Sequence, residues 1–130
     1  MVEELPRCRF RVLVVDDSPD NALSWQMLLG IYGFETDAAF DGETALRLAE
    51  KNPPQAALLD LSMPRMDGFA VAHHLRKRFG NGTRLIAVTA RDDEEGRQRC
   101  FAAGFDYHFT KPAAPAAVAR LLAELAGKSA

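Results

Sequence analysis

The sequence predicts an α/β fold in which helices cover both faces of a parallel sheet. Strand-like apolar runs alternate with helical stretches five times along the 130 residues, without the turn signals of a β-hairpin. Three runs are continuously apolar, as strands covered on both faces should be, and two are mixed. Right-handed strand–helix–strand crossovers would wind such a chain into a doubly wound sandwich.

The first strand and helix are predicted from an apolar run and a capped stretch behind it. Arg11 to Val15 is the apolar run, and Ser18 followed by Pro19 offers an N-cap and a first helical residue. Gly33 marks the end of this helix. The helix is expected to carry one apolar stripe made of Ala22, Trp25, Leu29 and Tyr32.

The second and third strands differ in pattern. Residues 34–39 alternate apolar with polar side chains, which predicts a half-exposed strand. Asp41 and Gly42 open a short helix, which residues 52–54 close with Asn-Pro-Pro. Residues 55–59 then predict a buried strand that leads directly into Asp60.

A loop over residues 61–67 separates this strand from the third helix. Asn81 and Gly82 break the chain after that helix, and residues 84–88 form the fourth apolar run. The helix itself is predicted from apolar or small residues at i, i+3, i+4 and i+7, namely Gly68, Val71, Ala72 and Leu75.

The last two helices flank a short fifth strand. A helix over about residues 92–103 begins with acidic side chains, which suit the positive end of the helix dipole, and ends at Gly104. Residues 106–110 predict the fifth strand. A closing helix places its apolar face on Val118, Leu121, Leu122 and Leu125.

The contrast between apolar and mixed runs predicts the strand order. Strands one, three and four are the apolar ones and belong in the centre, whereas strands two and five belong at the edges. This fits the order 2-1-3-4-5 of the flavodoxin-like (βα)5 fold, whose crevice lies at the carboxyl ends of strands one and three.

Polar side chains follow the strands at this edge. Asp16 and Asp17 come after the first strand, Asp60 after the third, Thr89 after the fourth and Lys111 after the fifth. Three carboxylates in one crevice repel one another unless a cation neutralises them, and a hard divalent ion such as Mg²⁺, or Mn²⁺, meets that need.

This set of groups suits transfer of a phosphoryl group. A carboxylate can attack phosphorus and form an acyl phosphate, while an ammonium and a hydroxyl stabilise the charge on the phosphoryl oxygens. Taken singly, Thr89 could be a strand-end hydroxyl, Lys111 a solvated surface lysine, and the paired acids a helix entry. Coincidence does not readily explain all of them at the strand ends of one crevice.

The order and spacing of these segments resemble a two-component response-regulator receiver domain over about residues 10–125, within one domain of residues 1–130. The segments that carry the resemblance are Val14-Val15-Asp16-Asp17, Leu59 to Gly68, Val88-Thr89-Ala90 and Thr110-Lys111-Pro112. It implies that Asp60 accepts a phosphoryl group from a phosphohistidine on a sensor histidine kinase or a histidine phosphotransfer protein.

The resemblance also implies the metal ligands and the switch. Asp17, Asp60 and the backbone carbonyl of Ser62 would ligate Mg²⁺, with Asp16 contributing mainly through water. Thr89 would move toward the phosphoryl group, and Lys111 would contact it from the other side. The peptide bond between Lys111 and Pro112 would be cis.

One departure from the common family pattern is His108, at a switch position that is usually aromatic. His108 could move inward behind Thr89 and could titrate near neutral pH, or it could be an edge-strand histidine without a switching role. Receivers attached to hybrid sensor histidine kinases often carry His at this position after a similar Gly-Phe-Asp lead-in, so residues 104–106 favour that subgroup. Ser62 and Arg91 occupy positions that, by resemblance, set the lifetime of the acyl phosphate.

Composition restricts the partners and the compartment. The formal net charge of −2 gives no basic field for nucleic acid, and no apolar stretch approaches the ~20 residues of a membrane span. Cys8 and Cys100 are far apart in sequence, which favours a reducing cytoplasm over a disulfide framework.

The expected function is therefore a signalling switch and not an enzyme, since it would catalyse only its own phosphorylation and dephosphorylation. An attached kinase or effector domain would provide the output. One alternative is a Mg²⁺-dependent aspartyl-phosphate phosphatase, but the chain lacks the Asp-x-Asp motif and cap domain of such enzymes. A second alternative is an interaction module that works without phosphorylation.

Overall fold

The computed structural model describes residues 10–90 and 93–129, with side chains to residue 127. Cys8, Arg91 and residue 92, the predicted start of the fourth helix, lie outside the described residues. Within them, strands and α-helices alternate as β1 Arg11–Val15, α1 Pro19–Ile31, β2 Glu35–Ala39, α2 Gly42–Lys51, β3 Ala56–Asp60, α3 Gly68–Phe79, β4 Arg84–Thr89, α4 Glu94–Ala102, β5 Tyr107–Thr110 and α5 Pro115–Ser129. A 3₁₀ turn, Gly80–Gly82, follows α3.

The strands form one parallel sheet in the order β2-β1-β3-β4-β5, as predicted. β3 is buried throughout, whereas β5 at the edge is half-buried at every position. In the register of the sheet, Val15 lies beside Leu59, so the polar residues that follow them emerge side by side. The carboxyl edge of the sheet is thus the place where the predicted site residues meet.

Two hydrophobic cores lie on opposite faces of the sheet. In β1, Leu13 and Val15 point into the core beneath α2, α3 and α4, and Val12 and Val14 point into the core beneath α1 and α5. The alternation follows from the period of two along a strand. Because β1, β3 and β4 contribute to both cores, their continuous apolar runs are explained.

Short polar side chains begin the first four helices. Ser18 caps α1, and its Oγ accepts a hydrogen bond from the Asn21 amide at 3.3 Å. Asp41, Asp67 and Asp93 cap α2, α3 and α4 in the same way. Each cap satisfies an amide that the helix itself leaves without a partner, and so fixes where the helix starts.

The stripe predicted for α1 is partly wrong. Ala22 and Leu29 are buried and Trp25 is half-buried, but Tyr32 is 52% exposed. The helix ends at Ile31, and Gly33 adopts a φ of 99°, so Tyr32 lies beyond the last helical turn and turns away from the core. The helix also exposes a second apolar stripe to solvent, made of Leu23, Met27 and Ile31.

Small differences of boundary have local causes. β2 begins at Glu35 because the Phe34 amide closes the end of α1 on the Leu29 carbonyl at 3.0 Å. α4 begins at Glu94 because Asp93 is its N-cap. β3 includes Asp60, and β5 begins at Tyr107. These shifts leave the predicted residues at the ends of the same strands.

Arg76 joins the far end of α3 to the start of β4 and β5. Its guanidinium donates to the carbonyls of Gly80 at 2.7 Å, Thr83 at 3.1 Å and Gly104 at 2.7 Å. It also forms an ion pair with Asp106 at 2.9 Å, and the same Asp106 oxygen accepts the Leu85 amide at 2.8 Å.

No helix among the described residues is long and apolar enough to cross a membrane.

Candidate functional site

Three carboxylates converge at the carboxyl edge of the sheet. One oxygen each of Asp16, Asp17 and Asp60 lies within 4.8 Å of the others. Asp16 and Asp60 are only 6% and 4% exposed, whereas Asp17 is exposed. The convergence follows from the register, because β1 and β3 are neighbours and both end here. The three residues together offer the oxygen ligands that a hard divalent cation takes.

Backbone amides and one lysine hold the two buried carboxylates. Asp16 Oδ1 accepts from the Ser18 amide at 2.9 Å. Asp60 Oδ1 accepts both from the Ser62 amide and from Lys111 Nζ, each at 3.1 Å. Both of these bonds to Asp60 end on one oxygen, and within residues 10–90 and 93–129 the other carboxylate oxygen is left for chemistry or for a metal.

The electrostatics of the cluster favour a bound cation. Burial raises the pKa of Asp16 above its ordinary value of 3.8, and the negative charges of Asp60 and Asp17 raise it further. The Ser18 amide and the Lys111 ammonium oppose this rise in pKa. A divalent ion would relieve the repulsion that remains, so the residues present fit a metal such as Mg²⁺.

Thr89 and Lys111 complete the edge from β4 and β5. Thr89 is 7% exposed at the last position of β4, and it pairs with Thr110 in the sheet. The Lys111 amide donates to the Thr89 carbonyl at 2.8 Å, which ties the two segments together. The bond between Lys111 and Pro112 is cis, as the resemblance implied.

The β3–α3 loop, residues 61–67, is packed tightly behind Asp60. Leu61 and Met63 are buried against the core beneath α2, α3 and α4. Gly68 begins α3 so close to β3 that a Cβ there would lie 2.5 Å from the Asp60 carbonyl oxygen. Only glycine permits that approach.

His108 lies on the same face of the sheet as Thr89. It is level with Ala87 on the neighbouring strand, and Ala87 and Thr89 share a face because strand side chains alternate. Its Nε2 atom is buried and has no hydrogen-bond partner among the described residues. An unpaired buried nitrogen is unfavourable, so a conformation that gave it a partner would gain stability.

A cavity of about 410 Å³ adjoins the site on the α1 side. Its lining includes Asn21 and Trp25 of α1 together with Asp16, Asp60 and Lys111. Trp25, which was predicted to lie on the apolar stripe of α1, also lies beside the site. The position of Asn21 was not predicted, because a polar residue on an exposed helical turn gives no sequence signal of its own.

Comparison with known proteins agrees with this geometry. The family model of the response regulator receiver domain matches residues 12–123. The transcriptional regulatory protein PrrA of Mycobacterium bovis is 40% identical over 102 residues, which are 78% of this chain and 43% of that protein. The sensor histidine kinase RcsC of Escherichia coli is 38% identical over 101 residues, which are 78% of this chain and 10% of the kinase.

The chain spans less than half the length of these curated relatives. Among solved structures, chemotaxis protein CheY4 of Vibrio cholerae superimposes with a TM-score of 0.84 at 28% identity, covering 91% of this chain and 99% of the other. The family match covers most of the sequence, and the fold and the strand-end acids agree with it. This chain therefore belongs to the response regulator receiver domains of two-component systems.

Proposed function

We propose that this receiver takes a phosphoryl group from a phosphohistidine onto Asp60 in a Mg²⁺-dependent reaction. The donor would be a sensor histidine kinase or a histidine phosphotransfer protein. The observation that carries the proposal is the cluster of Asp16, Asp17 and Asp60 within 4.8 Å, with Lys111 Nζ 3.1 Å from Asp60 Oδ1.

The transfer exchanges one bond for another. An oxygen of Asp60 forms a bond to phosphorus as the bond between phosphorus and the donor's imidazole nitrogen breaks, and that nitrogen keeps the electron pair. The product is an acyl phosphate on Asp60. The Ser62 amide and Lys111 hold the other oxygen, which aligns the carboxylate for attack.

Charge on the phosphoryl oxygens is balanced by groups already at the edge. Lys111 provides a positive charge and Thr89 a hydroxyl donor. Asp16, Asp17, Asp60 and the Ser62 carbonyl are the proposed ligands of Mg²⁺, or of Mn²⁺ in its place, with Asp16 acting mainly through water. When bound, the cation neutralises the carboxylates and the incoming phosphate.

Phosphorylation would then bias a two-state equilibrium. Thr89 would move toward the phosphoryl group, and His108, which lies on the same face, would move with it and bring its buried Nε2 to a partner. The β4–α4 and β5–α5 units carry these residues and would present the changed surface.

We further propose that residues 1–130 are one receiver domain that works in the cytoplasm and turns over no outside metabolite. The described strands form a single sheet, which supports one domain. The longer relatives support an output supplied by an attached kinase or effector domain.

The test is intact-mass measurement after incubation with phosphoramidate, whose P–N bond resembles that of phosphohistidine. The wild type should gain one phosphoryl group with Mg²⁺ and none with EDTA. Asp60→Asn should gain none, whereas Asp20→Asn, a change at an exposed acid on α1, should behave as the wild type.

If the wild type binds Mg²⁺ in calorimetry but is not modified, a phosphohistidine-bearing donor protein should be tried next. Failure with that donor as well would refute the phosphoacceptor function. The result would instead favour a module that signals by binding alone.

A further inference from the structure

We infer that the start of α2 is a positioning element for the metal site, because Met66 of the β3–α3 loop packs directly against Gly42. The inference rests on the proposed function, since it concerns the loop that carries Ser62. It assigns a role to a helix that contributes none of the proposed ligands.

The contact between Gly42 and Met66 is unusually close. A Cβ built on Gly42 would lie 2.6 Å from Met66 Sδ, 2.8 Å from Cγ and 2.9 Å from Cβ. The thioether end of methionine is flexible and could swing away. The Cβ of Met66 is fixed by the loop backbone, however, so a side chain at position 42 would have to push the loop or the helix.

Arg65 and the first turn of α2 line one small cavity together. Arg65, next to Met66, has a φ of 65°, which is uncommon for a residue with a side chain. The pKa of Asp41, the N-cap of α2, is lowered chiefly by hydrogen bonds from Thr44, and the positive charges of Arg47 and Arg65 contribute. Both Arg65 and Met66 therefore lie beside the first turn of α2.

The rest of the loop can pass a displacement on to the site. Its far end cannot retreat, because Gly68 already lies against the Asp60 carbonyl and its amide reaches the Leu61 carbonyl at 3.5 Å. Ser62 lies between these fixed points, and its amide bonds directly to Asp60. A push at Met66 would thus reach the Ser62 carbonyl and the Asp60 carboxylate.

A purely structural role gives a different expectation. If the contact only packed the loop, Gly42→Ala would lower the melting temperature and leave Mg²⁺ affinity unchanged. If the contact positions the loop, the loss in Mg²⁺-binding free energy should exceed the loss in the free energy of unfolding. Residues that orient metal ligands from outside the first coordination sphere typically change affinity by about 10–100-fold.

The experiment measures Mg²⁺ binding to the full chain by isothermal titration calorimetry. Gly42→Ala should raise the Kd about tenfold, the low end of that range. The Mg²⁺ concentration for half-maximal phosphorylation by phosphoramidate should rise by the same factor. Gly127→Ala is the matched control, because a Cβ there meets nothing within 4 Å, and its Kd should not change.

Met66→Ala removes the thioether part of the contact without adding a clash, so it tests the inference even if Gly42→Ala folds poorly. Its Kd should rise in the same direction but less. The double variant should raise the Kd by less than the product of the two single fold-increases. The reason is that the clash at position 42 and the lost contact at position 66 involve the same atoms.

The two ways of failing are distinct. A wild type that neither binds Mg²⁺ nor becomes phosphorylated would contradict the proposed function itself. A wild type that does both, beside Gly42→Ala and Met66→Ala variants with unchanged Kd, would overturn only the positioning role.

Discussion

Replacing Asp16 by Asn should stabilise the metal-free protein, although Asp16 is one of the proposed metal-site residues. The carboxylates of the cluster lie within 4.8 Å, where two unit charges repel by about 3.5 kcal/mol at an effective dielectric constant of about 20. Attraction to Lys111 offsets part of this. Asparagine keeps the shape and can still accept the Ser18 amide, so we expect a net gain of about 1 kcal/mol and about 4 °C in Tm.

The pH dependence follows from the sign of the pKa shift. Because the folded-state pKa of Asp16 is raised above 3.8, the wild type gains stability from this group below the unfolded pKa and loses it as pH rises through the folded pKa. The advantage of Asp16→Asn should therefore be present at neutral pH and vanish in acid. With Mg²⁺ at about ten times its Kd, the wild type should recover about 1.4 kcal/mol, and the variant less.

The assay is differential scanning calorimetry in EDTA and in Mg²⁺ over a series of pH values. Asp20→Asn is the control, because Asp20 is exposed in the first turn of α1. Its loss should destabilise slightly, by about 0.3–1 kcal/mol, through the helix dipole. An Asp16→Asn variant that melts below the wild type in EDTA at neutral pH would refute the argument from charge repulsion.

Three further substitutions test the packing around the site. Gly68→Ala should lower the free energy of unfolding in urea by about 1–3 kcal/mol, because its Cβ would lie 2.5 Å from the Asp60 carbonyl oxygen. The same clash should slow phosphorylation of Asp60, and an unchanged rate would contradict the close approach. Arg76→Leu should lower the free energy of unfolding by about 2–3 kcal/mol through lost charged hydrogen bonds, whereas Arg78→Leu, at an exposed ion pair, should cost at most about 1 kcal/mol. His108→Leu should raise the free energy of unfolding in urea by about 1 kcal/mol, since it removes a buried nitrogen that has no hydrogen-bond partner among the described residues. A lower free energy of unfolding would mean that the imidazole does form a hydrogen bond in solution.

The strand order and the strand-end residues were predictable because both depend on local apolar patterning. An apolar run that stops at Asp60 indicates where a buried strand ends. Parallel strands bring their carboxyl ends to the same edge of the sheet. The course of α1 was harder to predict. Its sequence carries apolar residues on more than one side, so Tyr32 appeared to continue the core stripe although the helix ends before it.

Contacts between loops and helices left no periodic signal. Met66 meets Gly42 across two different segments, and nothing in either stretch indicates the other. The same holds for Arg76, whose carbonyl partners are backbone atoms that any residue type could supply. Such contacts depend on the finished fold and could not be predicted from one sequence.

The order in which the site residues occur along the chain has a consequence for biosynthesis. Asp16 and Asp17 follow β1 and Asp60 ends β3, whereas Lys111 follows β5, the last strand of the described sheet. A nascent chain that has emerged only as far as β4 would bring buried negative charges together before their positive partner exists. Productive closure of the sheet should therefore wait until β5 and Lys111 have emerged, so this domain would fold late and as a whole.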